Sequence, residues 1–220
     1  WYRGSGIGTY TYQLIQELLA IDPINKYQLV CPPNKWLKAD TDFEFSGGQQ
    51  KNRNFWRDVQ FTPKLAGRGL DIYHIPHNGI GLPQDFPEGI KLVVTIHDLI
   101  PFVLPQTCSD VYLNTALKEI PKVVERADYI IAVSFQTKRD LIKILDVPEH
   151  KIAVIYEAAE PIYRPRPKEM VREYVLKHFG LKGPYILNVG GFSRRKNLVE
   201  LLRAFREMLR QLPTKCKLVL

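Results

Sequence analysis

The 220-residue chain carries 31 Lys and Arg against 23 Asp and Glu, a formal charge of +8, with 45% hydrophobic and 25% charged residues; that is ordinary globular composition with ample material for a core. No apolar run approaches the ~18 residues that span a bilayer, and the first residues lack the charged-then-apolar layout of a signal peptide, so a soluble, cytoplasmic protein is expected. Cys31, Cys108 and Cys216 form neither a C-x-x-C pair nor an even disulfide framework, and the positive excess favours phosphates, nucleic acid or an acidic membrane face without choosing among them.

The chain opens beside a glycine-rich turn and stops inside the apolar run CKLVL, so it reads as cut at both ends. In GSGIGTYTYQLIQEL, Gly4, Gly6 and Gly8 directly precede a helix predicted over 9–21, which places Tyr12, Ile15, Leu18 and Leu19 on one stripe. Small residues there let backbone N–H groups approach an anion at the positive end of the helix. A tight turn that needs positive φ is the other reading. The strand YQLV (27–30) follows, and it lacks the acidic residue that holds the ribose in dinucleotide folds. Residues 34–57 show no period and contain Gly47 and Gly48, as expected of a long surface loop or a disordered segment.

Strands are predicted next at DIYHI (71–75), KLVVTI (91–96), DYIIAV (128–133) and KIAVI (151–155). Most are nearly continuous in apolar residues, as strands buried on both faces are, and helical patterns alternate with them. That grammar gives a doubly wound α/β fold with a mostly parallel sheet, in which ligands bind outside the carboxyl ends of the strands. Polar residues at those ends are the candidates. His97 and Asp98 end KLVVTI; His97 can bond a sugar hydroxyl or exchange a proton, or be a satisfied structural histidine beside an Asp98 that caps a turn. His74 and His77 line the same cleft or are plain loop residues, and without a third ligand they make a poor metal site. Ser134 opens a helix over 134–145 with Leu141, Ile144 and Leu145 on its apolar face; it caps that helix or donates into the cleft.

In EPIYRPRPKEM (160–170), Pro161, Pro165 and Pro167 forbid a continuous helix, so an interdomain linker is expected. The same grammar then restarts: a helix over about 168–179, the strand YILNV (185–189), a helix over about 197–211 with Leu198, Leu201, Leu202, Phe205 and Leu209 on one stripe, and the strand KLVL. The expected organisation is a first α/β domain at 1–160, a linker at 161–170, and the beginning of a second at 171–220.

The strongest element is YILNVGGFSRRKNL, where a strand leads through Gly190 and Gly191 to Arg194, Arg195, Lys196 and Asn197 and then a helix. Strand, glycines, basic cluster and helix N-terminus together suit a diphosphate; a solvated basic turn is the alternative. Three cations at a helix N-terminus oppose its dipole by about 0.3–1 kcal/mol each. An anion would relieve that cost.

In this order the motifs resemble the group 1 glycosyltransferases, retaining family-4 enzymes of GT-B architecture with two facing Rossmann-like domains. The likeness covers nearly all of the chain through GSGIGTYTYQLIQEL, TIHDLIP, ADYIIAVSFQTKRDL, KIAVIYEAAEPIYRP and YILNVGGFSRRKNL. It implies transfer of a hexose, in the manner of the mannosyltransferases, from a nucleotide diphosphate sugar to a carbohydrate or lipid-linked acceptor, with retained configuration, no obligatory metal and no cofactor. It gives Arg195 and Lys196 the donor diphosphate, turns Gly6 and Gly8 toward donor phosphates and acceptor, and sets His97 near the transferred sugar. Gly191 stands where many relatives have arginine, and the family's E-x7-E element belongs further along than Leu220, so this chain alone is expected to be inactive. Cell-surface polysaccharide or glycoconjugate assembly is the expected setting, with peripheral contact at an anionic inner membrane face and no nucleic acid partner. A non-catalytic module of the same fold, a nucleotide-sugar epimerase and a glycogen-phosphorylase-like enzyme are the competing expectations; a nicotinamide oxidoreductase ranks last.

Overall fold

The computed structural model describes residues 6–28, 69–80, 82, 86–211 and 215–220, which divide into two units, Trp1–Glu157 and Ala158–Leu220. The first contains, in chain order, α1 (Gly6–Ile21), β1 (Ile72–Ile75), β2 (Lys91–Ile96), α2 (Ile100–Val103), α3 (Asp110–Arg126), β3 (Tyr129–Ala132), α4 (Phe135–Leu145) and β4 (Ile152–Val154). The four strands form one sheet in the order β1-β2-β3-β4, and every neighbouring pair is parallel. Parallel strands need long crossovers, and α3 and α4 supply two of them. The result is the Rossmann-like α/β arrangement that the strand pattern predicts.

β2 pairs on both edges, as β3 does, and Leu92, Val94, Thr95 and Ile96 are all buried. Around it pack Ile75, Ile130, Ala132 and Ile152 from the other strands, Ala116, Ile120, Val123 and Val124 from α3, and Leu141 from α4. Each large aliphatic side chain there contributes about 1.5–3 kcal/mol of burial.

Two local expectations are corrected. Residues 110–126 carry no helix in the sequence reading, yet α3 has 17 residues, with Pro121 in its interior. Proline removes a backbone donor and opposes a helix locally, but the stripe Ala116, Ile120, Val123 and Val124 has the sheet to cover, and packing prevails. Ser109 accepts from Tyr112 N at the start, and Asp110 and Arg126 suit the two ends of the helix dipole. Second, α1 begins at Gly6 and not at residue 9, so Gly6 and Gly8 belong to its first turns, with Gly8 buried. The strand expected at 27–30 and the loop at 34–57 lie outside the described residues, together with Gly4 and Cys31, except that Tyr27 and Gln28 are described and are not in a strand.

The second unit holds α5 (Lys168–Phe179), β5 (Tyr185–Leu187), α6 (Leu198–Gln211) and β6 (Lys217–Val219), with β5 and β6 parallel. Helix α5 starts directly after Pro167, whose φ of −53° already suits a helix, so 168–170 leaves the expected linker; Gly180 closes the helix in the left-handed conformation at φ 63°. The expectation of strands covered on both faces fails here. All three residues of β5 are exposed, and α5 and α6 bury none of theirs, because two strands and two helices offer too little surface to cover one another. Among the described residues no helix is long and apolar enough to cross a membrane.

Candidate functional site

The carboxyl edge of the first sheet is organised around His97, the residue directly after β2. The loop after β1 approaches it from one side. Asn78, buried and left-handed at φ 53°, donates its N–H to Thr95 O at 3.0 Å and accepts the His97 N–H on Oδ1 at 2.6 Å. The ring nitrogen Nε2 lies 2.9 Å from Pro76 O. Nδ1 lies 3.0 Å from Glu157 Oε1. The His97 carbonyl accepts from Thr137 Oγ1 at 3.0 Å, and the Tyr10 ring meets the imidazole edge to face at 4.8 Å and 89°. All four polar atoms of His97 are therefore engaged, which favours the reading of a satisfied histidine.

A second layer lies beneath. Thr95 Oγ1 is within hydrogen-bond distance of His74 Nε2, at 2.8 Å, and of the Tyr10 hydroxyl, at 3.2 Å. Burial raises the Tyr10 phenol, against the opposing bond to Thr95. Burial, reinforced by the charge of nearby His77, pushes His74 down to about 4, and burial lowers His77 as well.

That shift has a definite sign. The unfolded chain offers a histidine of ordinary value, ~6.5, so between there and about 4 the unfolded state binds more protons than the folded one. Stability from this group is complete at higher pH and falls as pH drops, by about 2 kcal/mol between pH 7 and pH 5. Urea unfolding at the two pH values is expected to show that loss, and His74→Gln to reduce it; an unchanged difference in His74→Gln would show that another group causes it.

Asp98 Oδ1 accepts from Ile100 N at 3.1 Å and closes the turn into α2. Ser134 is the N-cap of α4; its Oγ accepts from Thr137 N at 3.1 Å and lies 3.0 Å from Thr137 Oγ1, the hydroxyl that holds His97 O. The sequence-derived candidates His97 and His74 are thus brought together through Tyr10 and Thr95, while Asp98 and Ser134 shape the adjoining turns. Gly6 and Gly8 lie in the helix that carries Tyr10. Tyr10, Thr95, Asn78, Thr137 and Glu157 were not anticipated. Two had a signal: Thr95 interrupts an apolar strand, and Glu157 follows a strand at its carboxyl end.

In the second unit, β5 leads through Gly190 and Gly191 to a single 3-10 turn, Arg194–Lys196. Asn197 then turns left-handed at φ 51°, and its carbonyl accepts from Leu201 N at 3.2 Å in the first turn of α6. A Cβ on Gly190 would lie 3.9 Å from Lys196 Cδ and Cε, so the lysine stem runs along this glycine. Arg194, Arg195 and Lys196 are exposed. Gly190, the basic turn and the start of α6 therefore stand together, and the space above Gly191 is open.

A parallel sheet with helical crossovers and a histidine-centred polar cluster at the carboxyl ends of its strands is an α/β domain of Rossmann-like type. The chain belongs to Glycosyltransferase Family 4, whose family model it matches over residues 4–161. No curated protein gives a significant match. Family membership defines a glycosyl-transferring protein, with a sugar donor and an acceptor as its ligands in general terms.

Proposed function

We propose that the chain is the acceptor-side unit and part of the donor-side unit of a retaining hexosyltransferase that uses a nucleotide diphosphate sugar. The donor diphosphate sits on Arg195, Lys196, Gly190, Gly191 and the N-terminus of α6 at Asn197. The acceptor, a carbohydrate or a lipid-linked sugar, lies at the carboxyl edge of the first sheet near His97, His74, His77, Asp98 and Ser134, with Gly6 and Gly8 at the start of α1. The observation that carries the reading is the family match over 4–161 followed, in the second unit, by a lysine laid along Gly190 directly ahead of a helix N-terminus.

The chemistry asks for little else. As the glycosidic bond to the diphosphate breaks, negative charge grows on the leaving oxygens, and fixed donors there lower the barrier. Two cations and the free N–H groups of α6 are such donors. A net charge of +8 also suits an acceptor presented at an anionic membrane face, as in cell-surface polysaccharide or glycoconjugate assembly.

The test is a panel of nucleotide diphosphate sugars, scored for binding and, with the gene extended in both directions, for glycoside formation. At least one donor is expected to bind and to be turned over with retention. A panel that neither binds nor reacts would remove the transferase reading, and an epimerised free nucleotide sugar as product would replace it with an epimerase.

A further inference from the structure

Two aromatic rings of the first unit stand just past the carboxyl ends of β3 and β4. β3 ends at Ala132 and β4 at Val154; Phe135 opens α4 three residues after the one, and Tyr156 lies two residues after the other. Ile155 still donates its N–H to Ala132 O at 3.0 Å, so the strands stay paired up to the point where the aromatics begin. The ring centroids are 6.1 Å apart and the planes 64° from parallel, which makes a corner and not a flat wall. Phe135 is 59% exposed and Tyr156 62%. Neither belongs to the core: what α4 and β4 bury are Thr137, Leu141 and Ile152.

This is the edge at which parallel sheets of this class take ligands, and the neighbouring groups narrow the kind. Glu157 directly follows Tyr156, its side chain is 49% exposed, and its bond to His97 engages Oε1. A wholly apolar ligand on the corner would strip water from that carboxylate and return nothing. A pyranose satisfies both parts. Its C–H bonds present an electropositive face to the negative faces of aromatic rings, and its hydroxyls donate to carboxylate oxygen.

We propose that Phe135, Tyr156 and Glu157 form a subsite for a pyranose ring of the acceptor, the aromatic corner taking its C–H face and the carboxylate its hydroxyls. Assignment to the acceptor rests on the transferase reading above; the binding of a pyranose does not.

Titration of the isotope-labelled 220-residue chain with the methyl glycosides of glucose, galactose and mannose, followed by NMR, tests it. At least one glycoside is expected to shift the ring signals of Phe135 and Tyr156 together, with its own C–H protons moved upfield by the ring currents. Phe135→Leu and Tyr156→Leu keep the apolar bulk, and each is expected to weaken that glycoside by roughly 2- to 10-fold, the weight of one aromatic contact. Tyr129→Leu is the control, because Tyr129 is 60% exposed but is the first residue of β3, at the opposite edge of the sheet; it should change nothing. Cyclohexanol, with the C–H faces and a single hydroxyl, should bind more weakly than the glycoside, and Glu157→Ala should narrow that gap. If no glycoside shifts the aromatic pair, or cyclohexanol binds as well as the glycosides, the proposal is overturned. The shifts are mapped on the unsubstituted chain, so a variant that fails to fold does not decide the result. A chain that binds a nucleotide sugar but no glycoside at the corner loses the subsite and keeps the transferase reading. Glycoside binding at the corner, with no donor turned over by the extended chain, keeps the subsite and removes its tie to sugar transfer.

Discussion

Gly79→Ala is expected to destabilise the chain by about 2–5 kcal/mol, the sum of a backbone cost of about 1–2 kcal/mol for an L-residue in the left-handed region and about 1–3 kcal/mol of overpacking. Gly79 has φ +68°, and a Cβ built there would lie 2.9 Å from Val123 Cβ and closer still to Val123 Cγ1. Val123 is fully buried in α3 and has nowhere to go. Gly89 separates the two costs, because its φ is +86° but a Cβ there would meet nothing within 4 Å. Gly89→Ala should therefore lose only the backbone share, about 1–2 kcal/mol. Equal urea midpoints for the two variants would mean that the close approach to Val123 carries no weight.

The consequence reaches the site. Gly79 follows Asn78, and the same short loop supplies Pro76 O, so two of the holders of His97 depend on this glycine. A variant that shifts the loop to relieve Val123 releases the histidine. Acceptor binding, proposed at the carboxyl edge, is then expected to fall along with stability, whereas Gly89→Ala should spare it. α3 is thus both the cover of the sheet and the wall that fixes the loop.

How far the sequence disclosed this follows from the range of the forces involved. KLVVTI reads as a strand and is one over all six residues, because a β-branched run bounded by polar residues needs no distant information. α3 was illegible at Pro121, where the local preference opposes a helix and only the sheet beneath overrules it. The partners of His97 were illegible for a related reason. Tyr10, Pro76 with Asn78, Thr137 and Glu157 come from four parts of the chain, and only the parallel sheet, which gathers strand ends on one edge, makes them neighbours. The basic turn at Arg194–Lys196 was legible because its parts are contiguous. The burial of β5 was misjudged because apolar composition reports a tendency to be covered, while cover itself depends on neighbouring elements.

Lys196→Ala is expected to weaken binding of a nucleoside diphosphate by about 10- to 150-fold and to leave binding of the free nucleoside unchanged, since a hydrogen bond to a charged group is worth about 1.5–3 kcal/mol. The outer carbons of the lysine stem, Cδ and Cε, pass beside Gly190 in the loop after β5. Because the residue is exposed, added salt should erode the difference between the two ligands. Gly190→Ala serves as the geometric control. Its Cβ would stand 3.9 Å from Lys196, an ordinary contact, so the free chain should tolerate it, and any loss of diphosphate affinity would then report the ligand's own approach to the backbone. Calorimetric titration with matched nucleoside and nucleoside diphosphate reads all of these. Equal losses for both ligands in Lys196→Ala would detach the lysine from the phosphates, and the donor seat proposed for the second unit would lose its strongest contact.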